Sequence, residues 1–325
     1  MKATVTKQRK LVILVLIVCA LFFANLFIGS VKLSFNALFD AGSTDHTILM
    51  QLRLPRAIGA VCAGMGLALA GAILQNVLNN PLASSNVMGI NSGAGFFFVA
   101  ACVFFKNQTG ICWIASLLGA LASSLLILLL SNKTQAGRLS FILAGLAISQ
   151  IFSAGIDLLL TFSPNALSAY ANFKIGSLAG LSFHKIAFPC LLIFIVSLFC
   201  LGCSAELEII TLGKDIARSL GLSVKKWQMI FLILAALLAG SAISFCGMIG
   251  FIGLIVPHIC RRFFANTSKA YLSGCALLGS CFLLAADLLA KTLAAPYEIP
   301  VGILLALAGG PYFLYLLFAR KGLYD

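Results

Sequence analysis

Charge is what this chain has least of. Only 10% of its 325 residues are Asp, Glu, Lys or Arg, where soluble domains carry roughly 25%. With 61% hydrophobic residues and a mean hydropathy of +1.09, that scarcity excludes an ordinary soluble globular protein. Long polar stretches are missing too. The longest, near 30–54, 163–185 and 204–227, are each too short for a core of their own, so no soluble domain is hidden in the chain. Low-complexity segments are absent. Strict polar–apolar alternation is absent as well, which argues against barrel strands. No nucleophile–base pair and no metal-ligand cluster is visible, so neither an enzyme nor a metal centre finds support.

What is present is a succession of apolar runs, each near the ~20 residues that cross a bilayer. They fall at 10–29, 55–78, 88–105, 112–131, 139–162, 186–203, 228–246, 248–262, 271–290 and 299–319. The expectation is an all-α membrane protein of about ten transmembrane helices. The net charge of +13 suggests nucleic acid at first, but the basic residues sort by side instead. With the N-terminus inside, fifteen lie on inner segments: Lys2, Lys7, Arg9, Lys10, Lys133, Arg138, Lys214, Arg218, Lys225, Lys226, Arg261, Arg262, Lys269, Arg320 and Lys321. Seven lie outside: Lys32, Arg53, Arg56, Lys106, Lys174, Lys185 and Lys291. The bias predicts both termini inside and an even number of spans. It removes the reason to expect a nucleic-acid partner. The first run follows Lys7, Arg9 and Lys10 as a signal peptide would, yet it is long and no Ala-x-Ala follows; a retained span is expected.

Eleven cysteines lie mostly inside apolar runs, where Cys acts as a small hydrophobe. Cys200-Leu-Gly-Cys203 has redox or zinc spacing but no second pair, and Cys260 beside His258 is a weaker metal hint. Packing is the expected role of all of them.

Several segments carry polar or strained chemistry. Arg53-Leu-Pro-Arg56 opens the second run. Its two guanidiniums can pair with carboxylates of a docking partner or anchor the helix at the interface by snorkelling. Asn80-Pro81 after that run breaks a helix, and Gly64 and Gly66 within it permit close helix packing or border a path. Thr211 to Lys226 is the one sizeable polar island on the inner side. Its Asp215, Ala217, Arg218, Leu220 and Leu222 fit a short amphipathic helix stopped by Gly221. Gly213-Lys214 is no phosphate loop, because no glycine lies five residues before Gly213 and Asp215 follows the lysine. Asp287 and Lys291 are four apart on one helix face, which is usually a local ion pair and less often a proton relay. Gly247 to Arg262 is a glycine-rich apolar run that breaks at Pro257-His258 and stops on Arg261-Arg262.

These segments together resemble the FecCD-type permeases, the membrane subunits of ATP-driven importers for iron–siderophore complexes and cobalamin. The matching pieces run in order. They are Arg53-x-Pro-Arg56, then Gln75 to Asn80-Pro81-Leu82-Ala83 with Gly89 and Gly93-Ala94, then Leu212-Gly213-x-x-x-Ala217-x-x-Leu220-Gly221. Gly247–Arg262, Asp287-x-x-x-Lys291, Glu298-Ile-Pro300-Val-Gly302 and Gly309-Gly310-Pro311-Tyr-Phe313 complete them. Departures are Met88 for leucine, Ser85 for a common proline, Phe173 for tryptophan and Lys291 for arginine, the last losing bidentate geometry.

The resemblance implies a single permease domain over 1–325, built as two pseudo-symmetric five-helix halves, multi-pass in the cell (plasma or inner) membrane. It implies that Arg53, Arg56 and Lys291 dock an extracytoplasmic substrate-binding protein. A coupling segment at 204–227 would seat Leu212, Gly213, Lys214, Asp215, Ala217, Arg218, Leu220 and Gly221 in the groove of an ABC ATPase. Gly64, Gly66, Asn80, Pro81, Pro257 and His258 would belong to the translocation path or to helix packing. A second permease copy or paralogue completes the path. No cofactor is expected on this chain; ATP and Mg belong to the ATPase. Ferric siderophores are the favoured substrates, with haem and cobalamin behind. An ion-coupled secondary transporter would want ionisable groups near the midplane, whereas Asp157 and Asp287 map toward the outer ends.

Overall fold

In the computed structural model of the chain, residues 2–29, 43–85, 89–105, 109–133, 137–264 and 269–319 are described. Lys32, Met88, Lys106, Arg320 and Lys321, invoked above, lie outside that set. Among the described residues the protein is helical and carries no strand. The helices are α1 Lys2–Phe27, α2 Leu54–Val77, α3 Ile90–Phe104, α4 Thr109–Lys133, α5 Gly137–Phe162, α6 Leu167–Ile175, α7 Phe183–Gly202, α8 Ser204–Thr211, α9 Lys214–Ser219, α10 Val224–Cys246, α11 Ile252–Phe263, α12 Lys269–Thr292 and α13 Val301–Ala319. A short helix at Thr44–Thr47 and a π-helical stretch at Ile48–Arg53 lead into α2 without a break.

Each of the ten apolar runs holds a helix, and seven of the helices are long and apolar enough to cross a membrane. The run at 299–319 holds the 19-residue α13, and the runs at 88–105 and 248–262 hold shorter apolar helices, α3 and α11. Their shortness has a cause in the connections around them.

Helix α2 is the axis of the bundle. It packs against α12, α10, α11 and α7, and most of its residues are buried. Glycine makes this possible. A Cβ at Gly64 would collide with the Gly279 carbonyl on α12, and one at Gly71 with the Gly253 backbone on α11. With side chains absent on both sides, the helix backbones approach closely and dispersion contacts accumulate along the seam. A Cβ at Gly66 would lie 3.1 Å from the Leu238 carbonyl on α10. Gly64 and Gly66 therefore face neighbouring helices.

Two non-helical segments enter the body of the bundle. After α10, Gly247 (φ +75°) turns the chain, and residues 247–251 descend until Gly253 lies beside Gly71, six residues from the end of α2. After α2, residues 78–85 turn back through Asn80, whose side chain accepts from the Leu82 N–H at 3.0 Å. Backbone without a ladder is tolerated at membrane depth only where protein buries it or water reaches it.

Pro257 does not break its helix, contrary to the sequence reading; α11 runs through it from Ile252 to Phe263. The break lies earlier, at 247–251, where Phe251 takes a left-handed φ of +67°. Proline withholds one donor, which orphans the carbonyl four residues back, that of Gly253. The Gln75 side chain of α2 donates to that carbonyl at 3.1 Å and supplies the missing bond.

Candidate functional site

Three places in the fold carry chemistry. The first is at the end of the bundle where α1 finishes and α2 begins. Arg56, on the first turn of α2, donates from Nε to both carboxylate oxygens of Asp287 on α12 (2.9 and 3.2 Å) and from Nη1 to Glu298 (2.6 Å). Lys291, one turn beyond Asp287, pairs with it at 2.7 Å and donates to the Asn25 side chain of α1 at 3.1 Å. Asn25 also donates to the Leu284 carbonyl at 3.0 Å. Arg53 lies over Gly29 and donates to the Leu26 carbonyl at 2.9 Å.

Asp287 is fully buried, and Lys291, Arg53 and Arg56 are each under 10% exposed. Charges so placed have lost most of their hydration, and only the mutual geometry offsets that cost. The sequence expected three basic groups facing outward. The structure joins Arg56 and Lys291 through Asp287 and turns Arg53 onto α1, so much of their charge is already matched inside the chain. Glu298 is the most accessible member, its side chain one-third exposed.

The second place lies inside the bundle, where the two non-helical segments meet. Ser84, Ser85 and Leu82 from one and Ile249, Gly250 and Phe251 from the other border a half-open cavity of about 190 Å³, together with Leu67 of α2, Gly253 and Leu254 of α11 and Phe313 of α13. Of the four path candidates outside α2, Asn80 and Pro81 adjoin this wall in sequence. Pro257 is buried on α11 and His258 is partly exposed beside it; neither lines the cavity.

The third place is at the opposite end. Helices α8 and α9 fold as a short island between α7 and α10, with Gly213 (φ +111°) and Gly221 (φ +80°) at its turns. Both need the positive-φ freedom of glycine. Ala217 is completely buried and anchors the island; its carbonyl accepts from the Leu222 N–H at 3.0 Å. A residue so buried supports a contact surface but does not form it. Leu212, Ile216 and Leu220 are each more than half exposed. Asp215 and Arg218 sit 3.8 Å apart in solvent, a pair that contributes little. Lys214 begins α9.

Sequence reasoning missed Ile216, Asn25 and the role of Gln75. Ile216 was legible from its four-residue spacing to Leu212 and Leu220. Asn25 is a strongly polar residue within the first apolar run. Among the described residues no three His, Cys, Asp or Glu side chains gather as a metal site.

Comparison with known proteins follows the same outline. The profile of the FecCD transport family matches residues 14–319. The Fe(3+)-citrate import system permease protein YfmE of Bacillus subtilis is 37% identical over 330 residues, covering 98% of both chains. The hemin transport system permease protein HmuU of Yersinia pestis is 34% identical, covering 95% of this chain and 94% of its own. Among solved structures, an inward-facing transporter described as of the metal-chelate ABC type superposes with a TM-score of 0.87 at 29% identity, covering 96% of this chain and 99% of that one.

Proposed function

Because the chain belongs to the FecCD transport family, we propose that it is the transmembrane permease subunit of an ATP-driven importer for a ferric siderophore or a similar iron complex. The chain is a multi-pass membrane protein, and the import of iron chelates is the work its relatives are named for. The hemin relative favours haem as the second reading.

The observation that carries the mechanism is the apolar surface of Leu212, Ile216 and Leu220 on an island outside the spans. Exposed apolar groups on a rigid, glycine-bounded element suit a groove in a partner. In this reading the partner is an ABC ATPase, which uses ATP and Mg; this chain binds no cofactor and contributes no covalent chemistry. Ala217 fixes the island from beneath, so force applied at Ile216 is passed to α8 and α10.

The reading includes ten crossings in two five-helix halves, with both termini inside the cell membrane. The fifteen-to-seven partition of basic residues supports the orientation, and the ten helix-bearing runs support the count. The translocation path forms with a second permease subunit and borders the cavity of Ser84, Ser85 and Phe251. Non-helical backbone at that depth favours a place where substrate and water pass. At the other end, an extracytoplasmic binding protein docks over Arg53, Arg56 and Lys291, a cluster whose charges Asp287, Glu298 and Asp45 share.

Reconstitution tests the reading. Liposomes holding the permease and its ATPase, with the binding protein and iron chelate outside, are expected to accumulate iron when ATP is enclosed. Uptake driven by a proton gradient without ATP would overturn it in favour of a secondary transporter.

A further inference from the structure

Helices α3 and α4 form a tight hairpin. A Cβ at Gly93 would strike the Gly119 backbone and the Ser123 side chain, so nothing larger than hydrogen separates the two helices there. Near the hairpin's connection the Sγ atoms of Cys102 and Cys112 lie 3.3 Å apart. Cys102 is two residues from the end of α3 and Cys112 three residues into α4. A disulfide needs about 2.05 Å between sulfurs, so a closing movement of about 1.2 Å, shared by two side chains, makes the bond.

We propose that Cys102 and Cys112 form a disulfide in the mature protein, a modification site across the extracytoplasmic end of the α3–α4 hairpin. The inference rests on the N-inside reading, which puts residues 105–108 outside the cell membrane, where disulfides persist. Other thiols are neighbours too, among them Cys62 with Cys190 and Cys260 with Cys275. Those lie within the spans, Cys62 eight residues into α2 and Cys260 toward the opposite end of α11, away from an aqueous oxidant. Cys102 is partly exposed and Cys112 is buried, which sets the order of events.

The oxidant is a disulfide of an extracytoplasmic thiol oxidoreductase or of a small thiol. The Cys102 sulfur attacks one oxidant sulfur and expels the other, giving a mixed disulfide. The Cys112 sulfur then attacks Cys102, forming the internal bond and releasing the second oxidant sulfur. Two electrons pass to the oxidant, and the two cysteine protons end on its two thiols. The finished bond pins the end of α3 whose Phe98 stacks on Phe173 of α6 at 4.2 Å.

The test uses the full chain in its own membranes. Free thiols are blocked with N-ethylmaleimide in denaturant, the sample is reduced, and newly freed thiols take an isotopically heavy maleimide before peptide mass spectrometry. Cys102 and Cys112 are expected to carry the heavy label, and the unreduced linked peptides to weigh about 2 Da less than the two thiol peptides together. Cys62, Cys190, Cys260 and Cys275 are expected to carry the light label. In Cys102→Ser, Cys112 is expected to shift to the light label. Light label on both Cys102 and Cys112 of the wild-type chain overturns the proposal. A companion variant, Asn107→Cys with Cys102→Ser and Cys112→Ser, is probed in intact cells with a membrane-impermeant maleimide. Labelling only after lysis means that the orientation reading has failed; labelling from outside, with both thiols free in the wild type, means that the disulfide itself has.

Discussion

Replacing Asp287 by Asn is the sharpest perturbation the fold offers. The carboxylate is fully buried and holds Arg56 at 2.9 Å and Lys291 at 2.7 Å. Asn keeps the shape but removes the charge, leaving two buried cations with one partly exposed carboxylate, Glu298, and the neutral Asn25 between them. Breaking a buried pair in this way costs about 3–5 kcal/mol, because desolvation of the remaining charges is no longer offset. At about 2 °C per kcal/mol for a chain of this size, the unfolding midpoint falls by about 6–10 °C at matched scan rate in one detergent. The triple variant Arg56→Met, Asp287→Leu, Lys291→Met removes all three charges and is expected to recover most of that loss. Differential scanning fluorimetry of the three proteins makes the comparison. An Asp287→Asn midpoint equal to wild type, or a triple variant as unstable as the single one, would refute the claim that charge matching holds this end together.

Gly71→Leu is expected to destabilise the α2–α11 seam by about 1–3 kcal/mol or to prevent folding, and Gly110→Ala, whose Cβ meets nothing, to be silent in the same thermal assay. Ile216→Asp is expected to abolish co-purification of the ATPase while leaving membrane insertion and thermal stability unchanged; retention of the ATPase would remove the island's apolar face from the coupling. Arg53→Glu with Arg56→Glu is expected to weaken binding-protein capture beyond whatever Asp287→Asn causes. Equal loss in both would assign the effect to the fold rather than to docking. Gln75→Leu is expected to cost about 1–3 kcal/mol, the penalty for leaving the Gly253 carbonyl unpaired, read as a lower thermal midpoint.

The parts legible from sequence were those written in long periodicities. Each of the ten apolar runs holds a helix, and seven of these are long and apolar enough to cross a membrane, because a span must satisfy its own backbone and so announces itself over twenty residues. The Asp287–Lys291 pair was legible from its four-residue spacing. What could not be read were contacts across distant segments. Arg56 reaches Glu298 over 242 positions and Lys291 reaches Asn25 over 266, and no local pattern records either. Pro257 misled for the same reason: it breaks a helix only when no neighbour replaces its missing donor, and the replacement comes from another helix. Ala217 looked like part of a contact surface in sequence; burial, which depends on α8 and α10 folding over it, makes it the support instead.

The bond from Gln75 to the Gly253 carbonyl leaves a trace that reaches beyond this molecule. It exists because position 257 is proline, although the two side chains need never touch. A relative with an ordinary residue at 257 closes its own helical ladder, and its residue at 75 is then released to drift toward an apolar type. Positions 75 and 257 are therefore expected to covary across an alignment, coupled through a carbonyl belonging to neither of them. Contact prediction from covariation would register such a pair as two touching side chains, when what is inherited together is a vacancy and the group that fills it.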